Sequence, residues 1–565
     1  MKRIVNAFVV ALLGAASFSA YALAPKYEVR AVWLETIWSL DWPSSTTPSE
    51  QKTQLCEILD KLAAANFNTV LFQAQSQGDV AWISTIQPAM REITGSYTSG
   101  LTYDVAQYVI DECHKRNMEC HATILPYRLG SATRANYYNQ NGIKHPYVTN
   151  PELCLTYNNQ LYFDPGNPGT NEYLINLYRE LIRNYNFDGV SFDYCRYVGD
   201  YDDADSYSKY NPQNLSKDDW RRNNINTFIA EFYDMVQEEN PHVKVGAAPV
   251  GTYKNPSGFH NNSAYYNCYQ DACQWVQSGH CDTLYPQLYF DETYGFTQNI
   301  GIWVDGMNGR QMVAGLAPYK MVDNNNWAVS VITSQMETVR NHEGTNGFCY
   351  FRTNHVIDQS QTKIAQLYSE LQNNYFKYPA HVPPMEYKVV TKPSAPQNVR
   401  VVRDGSTYHI SWEAPELDAN NTPIKYYCIY RAKSGLLDKE NMEYVVKAKH
   451  NGLSIDVEAE TDSDEFAVTA FDDNNYESDA VLMAASVDGI EQDCDIVVAY
   501  REGMLSVVSP SIIASVELFS ASGKCVSAVL PNAISAEIDC STFGKGIYVV
   551  KIVADRRTVV RKIVI

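Results

Sequence analysis

The chain reads as a (β/α)₈ TIM barrel followed by two all-β sandwich domains. Three features predict this. From residue 28 to about 373, short apolar runs alternate with longer amphipathic runs, eight times over. A Pro-rich stretch, YFKYPAHVPPMEYKVVTKPSAP, then occupies 375–396. Beyond it the pattern changes to alternating β-runs separated by turn residues. The expected organisation is a leader over 1–22, a barrel over 25–374, a linker over 375–393, one sandwich over 394–484 and another over 487–565.

The eight apolar runs are VRAVWLE (29–35), NTVLFQ (68–73), ECHATIL (119–125), FDGVSFD (187–193), VKVGAAP (243–249), DTLYPQLY (282–289), MVAGLAP (312–318) and GFCYF (347–351). Helical patterns fall between them at 48–65, 102–117, 170–185, 217–239, 264–278, 327–341 and 357–373, with a weaker one at 296–308. Strict βα order implies a parallel sheet, and eight units match a closed barrel. An open doubly wound sheet would need a glycine-rich phosphate turn after its first strand, and LETIWSLDWP is not one.

Residues 1–24 hold a basic start (Lys2, Arg3), an apolar run and an Ala20-Tyr21-Ala22 cleavage motif, which together predict a secretory leader. No later run is long enough to span a membrane. The expected location is outside the cytoplasm: periplasm, cell surface or medium. A net charge of -20 argues against nucleic acid, whose phosphates need a basic surface. The 41 Tyr and 9 Trp supply rings suited to stacking on sugars. The 13 Cys are an odd number without a C-x-x-C pair, so either buried thiols or disulfides fit; Cys113/Cys120 and Cys268/Cys273 are the neighbours in sequence. No three-ligand metal pattern and no cofactor motif stands out.

In a barrel the chemistry belongs at the C-terminal ends of the strands. Those exits carry Glu35, then Gln73, with Asp79 in the next loop; Tyr127 and Arg128; Asp193 and Arg196; Gln287 and Tyr289, then Asp291 and Glu292. Carboxylates, amides and aromatics on one rim make the composition of a sugar site. Glycoside hydrolysis needs two carboxyl groups flanking the scissile bond. Asp193 closes a strand and is the first candidate. Asp291 and Glu292 are the expected partners, with Glu35 the third choice. The other rim residues are expected to bind substrate. Asp79 has a second reading, as a loop cap, and Arg196 as the ion partner of Asp193. Asp188 reads as structural. The chitinase pattern D-G-x-D-x-D-x-E fails, because its Glu falls on Cys195 and its second Asp on Ser191.

VRAVWLETIWSLDWP, NFNTVLFQAQSQGDVAW, HKRNMECHATILPYR, YFDPGNP, YNFDGVSFDYCRY and CDTLYPQLYF, in this order, resemble glycosyl hydrolase-like family 10. The resemblance implies a (β/α)₈ fold and a glycan substrate, with peptidoglycan strands stripped of their stem peptides as the substrate of a characterised kind of member. It carries the strand-4 acid onto Asp193, the D-P-G turn onto Asp164-Pro165-Gly166 and the strand-6 pair onto Gln287 and Tyr289. Five positions depart from the family pattern: Ser191 replaces His, Tyr194 replaces Asp, Thr123 and Leu125 replace Trp and Asn, and Gln75 replaces Arg. The alternative these departures raise is a weakened barrel that binds glycan without cutting it.

SAPQNVRVVRDGSTYHISWEAP, YYCIYRAKSG and DEFAVTAFDDNNYES resemble a fibronectin type III domain, with Phe466 where a Tyr is usual. The tail resembles a type IX secretion sorting domain through Gly546-Ile547-Tyr548 and the terminal KIVI. That implies a partner in the export machinery. A module whose β-domains carry the function is the remaining reading.

Overall fold

The computed structural model describes residues 25–565 apart from 255–261, 389–390, 418–421, 433–435, 461–463, 485, 488–495, 502, 522 and 556. The leader expected over 1–22 lies outside the described residues.

Eight parallel strands close into a barrel: β1 (Val29–Leu34), β2 (Thr69–Gln75), β3 (Glu119–Ile124), β4 (Gly189–Phe192), β5 (Lys244–Ala247), β6 (Thr283–Leu284), β7 (Gln311–Leu316) and β8 (Thr345–Tyr350). Each pairs with its sequence neighbours, and β8 pairs with β1 to close the ring. At that seam Gly347 has φ +135°, and a Cβ there would stand 2.1 Å from the Val29 carbonyl oxygen, so only glycine lets the strands meet. Outside the ring pack α1 (Pro48–Ala64), α2 (Val105–Lys115), α3 (Pro168–Asn184), α4 (Lys217–Glu239), α5 (Ala272–Gln277), α6 (Phe296–Gly306), α7 (Val329–Asn341) and α8 (Thr362–Glu370). The helices cover the outward side chains, such as Val32, Val70, Val190 and Val245. Val29, Ala31, Trp33, Leu71, Tyr285, Val313 and Cys349 fill the interior.

One element is absent from the sequence reading. A three-stranded antiparallel sheet, Arg128–Ser131, Cys154–Tyr157 and Gln160–Phe163, grows from the loop after β3. Its hairpin turns at Asn158 and Asn159, whose φ of 45° and 59° are those of a two-residue turn that asparagine tolerates. CLTY-NN-QLYF carries that signal in the sequence.

The Pro-rich segment after the barrel is packed against it. Val382 enters the interior cluster at the N-terminal end, and Phe376, Ala380 and Met385 are buried. Next come two four-stranded sheets around a shared core of Val401, Tyr408, Trp412, Tyr427 and Phe466. A last sheet contains Val497–Arg501, the long strand Met504–Ser520, Ile547–Ala554 and Arg557–Val564. The described cysteines are free thiols.

The first sandwich is bolted to the closed end of the barrel by charge. Glu119, at the start of β3, accepts from Lys244 at 2.7 Å and from Lys425 of the sandwich at 3.0 Å. Lys425 also donates to Asp188 at 2.7 Å, and Asp188 meets His114 at 2.8 Å and the Cys120 amide at 2.8 Å. Burial pushes the Glu119 carboxyl up, but Lys244 and Lys425 outweigh it and hold the group well below the carboxylate range. Asp188 is likewise held low, chiefly by Lys425 and His114 against burial. Removing one partner of such a pair strands a buried charge. Lys425→Ala is therefore expected to destabilise the barrel–sandwich unit by about 3–5 kcal/mol, read as a lower melting temperature. Carboxyls with depressed folded pKa values stabilise the fold above the unfolded value, about 4, and that contribution is lost as pH falls. The melting temperature of Lys425→Ala should thus fall less steeply on acidification than that of the wild type.

Candidate active site

Residues that alternate into the barrel reach its open rim at Glu35, Gln73, Asp193, Gln287 and Tyr289. Gln73 is clamped by its surroundings: its Oε1 accepts from the Ile37 amide at 2.7 Å, which leaves Nε2 to donate to Glu35 Oε2. The other oxygen of Glu35, Oε1, is buried without a hydrogen-bond partner. The Glu35 amide donates to Asp41 Oδ2 at 3.0 Å. Asp41 in turn accepts from Arg352 at 2.6 Å and from the Asn354 amide at 2.9 Å. The loop after β1 is thereby tied to the exit of β8 across the seam.

Asp193 follows β4 directly. Its Oδ1 accepts from the Tyr194 amide at 2.8 Å and from Gln287 Nε2 at 2.9 Å. Its Oδ2 makes no hydrogen bond among the described residues. Tyr289 lies close to both carboxyls, and its hydroxyl is buried without a partner. Its ring rests on Phe351, centroids 5.6 Å apart.

The two acids have different surroundings. Burial raises the Glu35 pKa well above the carboxylate range, and the charges of Asp193 and Asp41 add to the rise, with Arg352 the one opposing influence. Burial raises Asp193 above its ordinary value too, and Arg196, the Tyr194 amide, Gln287 and Arg128 offset only part of that rise. Of the pair, Glu35 is raised further, and Asp193 has the more groups that favour its charged form.

A ring-and-guanidinium stack borders this pair. Arg196 lies over the Tyr194 ring at 4.1 Å; Arg128 lies 5.8 Å from Tyr194 and 5.2 Å from Trp38. Trp38 is 57% exposed. Trp38 and Tyr194 both have left-handed backbones, φ 54° and 51°, a conformation that costs energy for side chains of this size. In both cases the strained residue presents its ring at the rim.

The remaining sequence candidates sit elsewhere. Asp291 accepts from the Thr293 amide at 3.0 Å, and Glu292 accepts from the Thr297 amide at 3.2 Å, so both bind the turns that lead into α6. With Ser330, Ser334 and Thr338 of α7 they line a separate cavity. The carboxyl that stands beside Asp193 is Glu35. Asp79 is buried and accepts from the Gln77 amide at 3.2 Å inside its own loop; burial, with the Glu92 charge, lifts it to about 7. Tyr127 is buried against Phe228, centroids 5.6 Å apart. Of the departures from the family pattern, Thr123 Oγ1, Ser191 Oγ and Gln75 Nε2 are buried without partners. Sequence reading missed the roles of Asp41 and Arg352 as a clasp, because no local pattern links residues on opposite sides of the seam.

The family model described as glycosyl hydrolase-like 10 matches residues 28–310, and a secretion system C-terminal sorting domain matches residues 502–565. The chain is 27% identical over 460 residues to glycosyl hydrolase YngK of Bacillus subtilis (strain 168), covering 77% of this chain and 87% of that one. It is 32% identical over 287 residues to glycosyl hydrolase DigH of Escherichia coli (strain K12), covering 46% of this chain and 65% of that one. The glycoside hydrolase domain of PgaB (BpsB) from Bordetella bronchiseptica aligns with 61% of this chain and 99% of its own, at 13% identity and a TM-score of 0.42. The sorting domain marks the chain for export to the cell surface or beyond. The chain belongs to the glycosyl hydrolase-like 10 family and is a glycoside hydrolase.

Proposed function

We propose that the enzyme cuts a glycan chain with Glu35 as general acid and Asp193 as its charged counterpart. The observation that carries this reading is the pairing of two buried carboxyls, both raised by burial, of which Glu35 is raised further while Arg196 and Gln287 restrain Asp193. Gln73 Nε2 donates to Glu35 Oε2, so a proton on Glu35 belongs on Oε1, which has no protein partner. From there it can pass to the glycosidic oxygen as the C1–O bond breaks. Asp193 Oδ2 faces the developing positive charge at C1, either as nucleophile or as the base that takes a proton from water. Water supplies the new hydroxyl at C1, and the leaving sugar carries the proton from Glu35.

The substrate class that fits best is peptidoglycan glycan strands freed of their stem peptides. Without its peptide, each muramic residue exposes a carboxylate. Arg128 and Arg196 offer guanidinium groups beside Asp193, and Arg196 Nη1 and Arg128 Nε lack protein partners. Trp38 and Tyr194 offer rings on which sugars stack.

Reducing-end release from peptide-free strands is the primary test. Glu35→Gln and Asp193→Asn should each lower kcat by about 10²–10⁴-fold while the melting temperature holds. Asp291→Asn and Glu292→Gln should leave turnover within a few fold; a loss there comparable to that of Glu35→Gln would return the acid to the β6 loop. Binding of strands without release by the wild type would favour a glycan-binding barrel.

The pH–rate profile should be a bell. Activity needs Asp193 ionised and Glu35 protonated, so it rises as pH passes the Asp193 pKa and falls as pH passes the higher Glu35 pKa. Arg196→Met removes the strongest influence that lowers Asp193 and should move the acidic limb to higher pH. An unmoved limb would separate Asp193 from that ionisation.

A further inference from the structure

The Asp164-Pro165-Gly166 turn takes no part in the chemistry above, and it forms the floor of a second cavity. This cavity, of about 400 Å³, lies between the N-terminal turns of α3 and α4. Asp164 accepts from the Gly166 amide at 2.9 Å and from the Ser206 hydroxyl, which ties the turn to the 204–215 loop. A Cβ at Gly166 would stand 2.3 Å from the Trp220 ring, so glycine is needed for the floor to meet α4.

The loop that forms the lip is fixed by its own hydrogen bonds. Trp220 Nε1 donates to the Tyr210 carbonyl at 3.0 Å. The Asn211 side chain donates to the Leu215 carbonyl and accepts from the Leu215 amide, both at 2.9 Å. Tyr207 donates to the same carbonyl at 2.8 Å. The Tyr210 side chain, 40% exposed, lines the mouth. Asn223, Asn224 and Thr227 of α4 form one wall. The single anion of the lining, Glu231, is bound by Asn171 Nδ2 at 2.8 Å, and its single cation, Lys209, by Asp205 at 2.7 Å. Aromatic surface beside neutral amides and a hydroxyl complements an uncharged pyranose, whose C–H face stacks and whose hydroxyls exchange hydrogen bonds. Lys209 is paired with a carboxylate outside the cavity, and Glu231 is held by a neutral amide.

The cavity is braced to the reactive loop. Asn224 Nδ2 donates at 3.1 Å to the hydroxyl of Tyr197, which lies on the loop that carries Asp193 out of β4. One glycan chain held along the rim could therefore touch both places.

We propose that this cavity is a remote subsite for an uncharged sugar unit of the chain, away from the bond that is cut. This rests on the glycan-hydrolase reading for its ligand, but not on the assignment of the acid. Binding energy gained far from the reacting atoms and shared by ground and transition states lowers KM and leaves kcat alone.

The test uses the full-length protein and peptide-free peptidoglycan strands as probe. Thr227→Trp fills the cavity from α4, and Tyr210→Ala removes the aromatic face. Titration calorimetry in an Asp193→Ala background should show each change weakening strand binding by about tenfold, with Tyr210→Phe restoring it. In the otherwise wild-type enzyme the same changes should raise KM by a similar factor with kcat unchanged. Strand affinity within twofold of the parent in both variants would overturn the subsite, as would an equal fall in kcat. If no variant and no wild type releases reducing ends, the calorimetry alone decides: weakened binding keeps the subsite while the hydrolytic reading falls.

Discussion

In a closed parallel barrel, residues two apart on a strand point to the same side, and the interior has room for few of them. That constraint governs the molecule. On β1 it sends Val29, Ala31 and Trp33 inward and so delivers Glu35 to the rim. On β4 it aligns Ser191 with Asp193, and past β6 it aligns Tyr285 with Gln287 and Tyr289. The open end collects acids and amides because the inward rows finish there. At the closed end, where the same rows begin, Glu119 and its lysine partners take the place of apolar side chains, and Val382 and the sandwich cover them.

Charge placement then separates the two ends by purpose. At the closed end each carboxylate is matched by a cation, so Glu119 and Asp188 are held ionised and the domains are locked together. At the open end Glu35 is left short of cations and is pushed toward its neutral form. Arg352, the cation nearest at hand, is bonded to Asp41. Under the proposed mechanism, a barrel that satisfied Glu35 as fully as Glu119 would have no proton to give.

Much of this was legible in the sequence. Alternating periodicity located eight strands to within a few residues, because each is short, apolar and followed by a helix with a matching face. Strand exits identified Glu35, Gln73, Asp193, Gln287 and Tyr289 as rim residues. The ranking of the second acid was harder to read. Asp291 and Glu292 directly follow a strand-like run, but β6 pairs over Thr283–Leu284 and the chain has turned away by residue 291, where the next helix needs caps. The hairpin over 154–163 was hidden by its position within a long βα loop. The Asp41–Arg352 clasp joins positions far apart in sequence, and only closure of the barrel brings them together.

The central claim is that Glu35 is neutral and Asp193 charged in the resting enzyme. The direct measurement is a carboxyl-carbon NMR titration of protein labelled at glutamate side chains, with Glu35→Gln as the assignment control. The account predicts one resonance, missing from the variant, that titrates well above every other glutamate and shifts downward when Asp193 is replaced by Asn. A Glu35 resonance that titrates with the ordinary glutamates, near 4.3, would contradict it, because an ionised Glu35 has no proton to deliver.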